Sequence, residues 1–117
     1  MSCPSYPAEL LRYRTVCARL LRALADHHTA RVAYDAARDQ FEDRRRCLLV
    51  GGVPGIPERS SAEVREAALG RALEPQAAAL RSGRDRLREA ETELEAARIE
   101  ERMERETLRS LGAALAQ

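Results

Sequence analysis

Two histidines, three cysteines and 19 carboxylates are the residues with which this chain could do acid–base, redox or metal chemistry. His27 and His28 are adjacent, and neighbouring helical positions point about 100° apart, so the two imidazoles do not converge on one metal. Around His28 stand Arg31, Val32 and Asp35, with no second soft ligand. Cys3, Cys17 and Cys47 are odd in number and form no CxxC, which argues against a disulfide framework and for reduced thiols. Cys47 follows Arg44, Arg45 and Arg46, a cationic setting of the kind that activates thiols. No nucleophile elbow or zinc-spaced cluster accompanies it, and Gly51-Gly52-Val53-Pro54-Gly55 lacks the Gly-Lys-Ser/Thr that completes a phosphate loop. The expectation is a protein that is not an enzyme and needs no cofactor or metal.

The carboxylates Glu89, Glu91, Glu93, Glu95, Glu100, Glu101, Glu104 and Glu106 alternate with Arg98, Arg102 and Arg105. On a helix these spacings give surface ion pairs, each contributing a few tenths of a kcal/mol, roughly, rather than a cation site. Two groups of basic residues remain, Arg44, Arg45 and Arg46, and Arg81, Arg84, Arg86 and Arg88. Either could contact phosphates, yet neither has the interleaved aromatics or recognition helix of a nucleic-acid reader.

The elements that must position these groups follow from composition. Apolar residues make up 44% of the 117, aromatics only 3% and charged residues 33%. Ala, Leu, Glu and Arg dominate, which is the composition of long helices and coiled coils. Lys, Asn and Trp are missing altogether, a bias typical of a GC-rich bacterial genome. The net charge of +1 provides no global field towards nucleic acid or anionic lipid. No segment approaches the roughly 18 apolar residues of a membrane span, and no signal pattern opens the chain, so the expected location is the cytoplasm.

A single all-α domain is predicted, an antiparallel two-helix coiled-coil hairpin. The first helix spans about residues 7–49, with Pro7 in its first turn and Glu9 near the positive end of its dipole. Its contact line is the seven-spaced series Tyr13, Leu20, His27, Tyr34, Phe41 and Leu48, joined by Leu10, Cys17 and Leu24. A buried His27 would make pairing sensitive to acid, with association lost below about pH 6. Arg31, Arg38 and Arg45 then replace the second row, and the stripe shifts to Ala30, Val32 and Ala37. Three Gly and two Pro between Gly51 and Pro57 place the turn within a loop of about 50–59. Ser60 and Glu63 form a capping box for the restart.

The second helical stretch, about 60–116, carries Leu73, Leu80, Leu87, Leu94, Glu101, Leu108 and Leu115 at seven-residue spacing. Gln76, Gly83, Ala90, Ala97, Glu104 and Leu111 follow three residues later, and such small partners permit close helix approach. Pro75 either kinks this helix or separates a short third helix of about 61–73 at the bend; nearby Gly70 favours the break. Leu48, Leu49, Val50, Val53 and Ile56 crowd apolar surface at the bend, to be covered by Val64, Leu69 and Leu73 or to dock a partner.

Taken together, the Leu10-Leu11-Arg12-Tyr13-Arg14 start, the central bend and the Arg/Glu-rich stretch Ala97–Glu106 resemble the FliJ/YscO family of type III export stalk proteins. That likeness spans nearly the whole chain, which is shorter than most members of the family. It implies binding inside or beside a hexameric export ATPase and traffic with export chaperones. The expected function is therefore a non-enzymatic adaptor that presents helical surface, as a homodimer or hetero-complex, to a helical protein partner. Candidate contacts are the bend residues with Arg98, Arg102 and Arg105. The alternatives are a nucleic-acid-associated or phage or mobile-element accessory protein working through its Arg groups, and an enzyme or redox protein working through Cys47.

Overall fold

The computed structural model describes residues 5–116. They form two α-helices, α1 (Tyr6–Gly51) and α2 (Ala62–Leu115), paired as an antiparallel hairpin with no strand among the described residues. Cys3 lies outside the described residues.

Each helix end has a local cause. Ser5 caps α1: its hydroxyl accepts from Ala8 N at 3.4 Å and its carbonyl from Glu9 N at 2.9 Å. Past Gly51, Gly52 takes a φ of +78°, the left-handed conformation that terminates helices. Val53-Pro54-Gly55-Ile56 then closes a β-turn, with Ile56 N donating to Val53 O at 3.1 Å and Gly55 at φ +83°. Pro second and a positive-φ Gly third are what a type II turn requires. A further turn, Ser60 N to Pro57 O at 3.0 Å, holds Ser60 outside the helix. The cap of α2 is consequently Ser61 rather than Ser60, with Val64 N donating to its hydroxyl at 3.3 Å. The expected capping box does not form, because the third helical residue is now Val64 instead of Glu63.

Pro75 lies inside α2 without ending it, so no separate helix spans 61–73. The missing N–H deprives the carbonyl of Arg71, and Arg71 and Pro75 are both exposed. Ala68 and Leu73 before the proline and Leu87 after it are buried on the contact face. Burial on both sides outweighs the roughly 3 kcal/mol that an interior proline costs.

Contacts divide the chain into two units, Met1–Thr29 with Arg88–Gln117, and Ala30–Leu87. In the first, Val16 and Ala23 of α1 and Ala90 and Leu94 of α2 are buried, with Leu10, Tyr13, Cys17, Leu20, His27, Leu108 and Leu111 half-buried. In the second, Leu48, Ala68, Leu73 and Leu87 are buried and Tyr34, Phe41, Gln76 and Leu80 half-buried. A Cβ added to Gly83 would stand 3.5 Å from Tyr34 Cα, so small residues in the second row of α2 do let the backbones approach.

The second row of α1 departs from expectation. In its N-terminal half it consists of Glu9, Val16 and Ala23, one residue ahead of Leu10, Cys17 and Leu24; it continues through Ala30 and Ala37 as expected, while Val32 is 54% exposed. Leu24 is 40% exposed and Leu115 of α2 70%. A two-helix contact is narrow, and one residue of offset turns a side chain about 100° away from it. Angle, rather than side-chain size, therefore selects Ala23 over Leu24. Urea denaturation provides the check: Leu94→Ala should cost about 2–5 kcal/mol, and Leu24→Ala less than about 1 kcal/mol.

Candidate interaction surfaces

Polar residues link the two helices of the first unit at successive levels, in the contact face or along its edge. Tyr13 Oη donates to Glu101 Oε1 at 2.8 Å, and Arg105 Nε lies 3.7 Å from the same oxygen. Arg19 Nη1 donates to Glu100 Oε1 at 2.9 Å. His27 Nε2 stands 3.9 Å from Glu91 Oε1.

Glu9 is the most enclosed of these groups, at 2% exposure. Arg12 Nη1 lies 3.9 Å from its Oε2, while its Oε1 has no hydrogen-bond donor among the described residues. Opposite stands Glu104, whose carboxyl is raised above the ordinary carboxylate value. The main cause is the hydrogen bond that its protonated form makes to Glu9, followed by burial and the Glu9 charge, with Arg12 opposing. Spacing places Glu104 in the seam but assigns Glu9 only to the helix dipole. The seven-residue spacing that Glu9 shares with Val16 and Ala23, both buried, is the signal in the sequence that marks it.

The tip, in the second unit, is a groove of about 610 Å³ floored by Leu48, Val53, Ile56 and Leu69 and rimmed by Glu58, Arg65 and Glu66. Leu48 is buried and Val53 and Ile56 half-buried, so the first turns of α2 supply part of the expected cover. Leu49 remains 60% exposed and Val50 85%, and Val64 is exposed as well.

The arginines stay on the surface. Arg81 donates to Glu74 at 2.6 Å, and Arg46 sits 3.7 Å from Asp43. Arg44, Arg45, Arg84, Arg86, Arg88, Arg98 and Arg102 are exposed and have no ion pair among the described residues. Cys47 is exposed and Cys17 half-buried, both as free thiols. Among the described residues no cluster of three His, Cys, Asp or Glu could hold a metal ion, and no helix is long and apolar enough to cross a membrane. Compared with protein-family models, curated proteins and solved structures, the chain has no match.

The Tyr13 bond has a measurable consequence. Chiefly through Glu101, with smaller contributions from Cys17 and burial, the phenol is pushed from 10.0 up to about 12. A folded value above the unfolded one gives a stability contribution that is complete below pH 10 and lost as pH rises through about 12. Tyr13→Phe should cost about 0.5–1.5 kcal/mol at neutral pH and remove that alkaline limb from the urea midpoint profile.

Proposed function

We propose that this chain is a non-enzymatic coiled-coil adaptor whose hairpin tip receives a helical protein partner. The observation that carries the reading is the tip itself. Leu49 and Val50 stand out in solvent beside an apolar groove, and Val64 is exposed nearby. An amphipathic helix laid in such a groove anchors through residues spaced three and four apart, and the rim charges of Glu58, Arg65 and Glu66 are placed to set its direction. Arg98 and Arg102, exposed on α2, offer a second contact, with Arg105 already engaged by Glu101. The ionisable groups brought together in the seam hold one another instead of facing a substrate cavity, which supports an adaptor over an enzyme.

An export-stalk version of this reading adds a specific partner class, a hexameric ATPase, and a bacterial cytoplasmic setting; the complex would be a hetero-assembly or a homodimer. Unpaired Arg44 and Arg45 favour nucleic acid as the second reading.

The double variant Leu49→Asp/Val50→Asp tests the tip. Both side chains are exposed, so folding stability should change by no more than about 0.5 kcal/mol per site. A photo-crosslinker at position 50 should capture one protein reproducibly in cell extract, and the double variant should lose that protein. Equal capture by the variant would remove the tip from the proposal. Salt-sensitive DNA retardation abolished by Arg44→Ala/Arg45→Ala would instead establish the second reading.

A further inference from the structure

A carboxyl pair inside an apolar helix contact has few stable arrangements. With both groups ionised, two negative charges face each other, that of Glu9 shut off from water and that of Glu104 half-buried. A proton between them turns the repulsion into a hydrogen bond. The surroundings of Glu9 and Glu104 differ. Glu9 lies in the first turn of α1, where the helix dipole favours an anion, and Arg12 approaches its Oε2 at 3.9 Å. Glu104 lies deep within α2, far from either end of that helix. Glu9 Oε1 still lacks a donor, and a protonated Glu104 supplies one. The charged and titratable neighbours come from both helices: Arg12 and Tyr13 from α1, Glu101 and Arg105 from α2. Tyr13 and Arg105 both engage Glu101, and Arg12 approaches Glu9 Oε2 rather than the donorless Oε1, so a proton on Glu104 is what can satisfy Oε1.

We propose that Glu9 and Glu104 form a proton-operated clasp on the paired helix ends, closed when a proton is shared between them and loosened when it leaves. The direction follows from linkage. Glu104 binds its proton more tightly folded than unfolded, so its contribution is complete below the unfolded carboxylate range. It fades as pH rises through the higher folded value. The clasp therefore tightens on acidification, opposite in sign to the behaviour that acid loss of carboxylate ion pairs would produce. Its lasting effect is on how readily residues 6–16 and 98–112 separate, and so on whether their contact face is available to another helix.

Hydrogen exchange of the full-length protein, corrected for intrinsic rates, tests this directly. From pH 5 to pH 7.5 the protection of residues 6–16 and 98–112 should fall, by up to about tenfold for each pH unit of upward shift at Glu104. Glu104→Gln keeps the shape and offers Glu9 a permanent amide donor. It should flatten that pH dependence and raise protection at pH 7.5 to the acid level of the unsubstituted protein. Glu9→Gln should flatten it too, whereas His27→Gln, at the only half-buried histidine, should leave the slope in place. An unchanged slope in both Glu9→Gln and Glu104→Gln, or protection that rises from pH 5 to pH 7.5 in the unsubstituted protein, overturns the clasp.

Discussion

Two helices paired in a hairpin share one contact face, and every other property of this protein depends on that face. A globular core surrounds a buried residue on all sides, whereas here each side chain is covered by one partner helix and its own neighbours. Burial is accordingly restricted to a row of seven-spaced residues on each helix with a second row beside it. Large Leu73, Leu80, Leu87 and Leu94 alternate on α2 with Gly83, Ala90 and Ala97, and the small residues let the backbones come close enough for the large ones to lose water. Dispersion and apolar burial both fall off within an ångström or so of misfit, which is why a residue one position out of register remains exposed even when it is Leu.

The same narrowness governs the polar residues. Glu9, Tyr13, Glu101 and Glu104 occupy contact positions in one unit, and a polar group there has only the opposite helix from which to draw a partner. Tyr13 and Glu101 solve the problem with a neutral donor and a charged acceptor. Glu9 and Glu104 solve it with a proton. Such groups give up burial energy, and in return they align the helices, since a Leu ladder alone tolerates sliding by one heptad. In the other unit, Gln76 Oε1 is buried without a hydrogen-bond partner among the described residues, so its stretch of seam relies on shape.

At the turn, geometry works against concealment. The chain must reverse through Gly52 and Gly55 at positive φ, and the residues on either side cannot all point inward. Leu48 does, while Leu49 and Val50 are carried outward by their helical angles. An apolar groove with exposed apolar neighbours is the result, and the functional reading rests on it. The arginines add charge at the surface, balanced closely by carboxylates.

By itself the sequence determined the two helices, the turn between Gly51 and Pro57, and the register of α2 from Leu73 to Leu111, because each is a local property of backbone freedom or of apolar spacing along one helix. Leu73 to Leu108 with Gln76 to Leu111 could be read residue by residue in this way. Only the tertiary structure decided which of two adjacent rows on α1 faces α2, that α2 continues through Pro75, that Ser61 instead of Ser60 caps it, and that Glu9 is buried against Glu104. Each of these depends on the angle at which the partner helix or the preceding turn arrives, and that angle is written in no single stretch of chain. Leu24 and Ala23 fit a helical stripe equally well on paper; the position of α2 leaves room for only one.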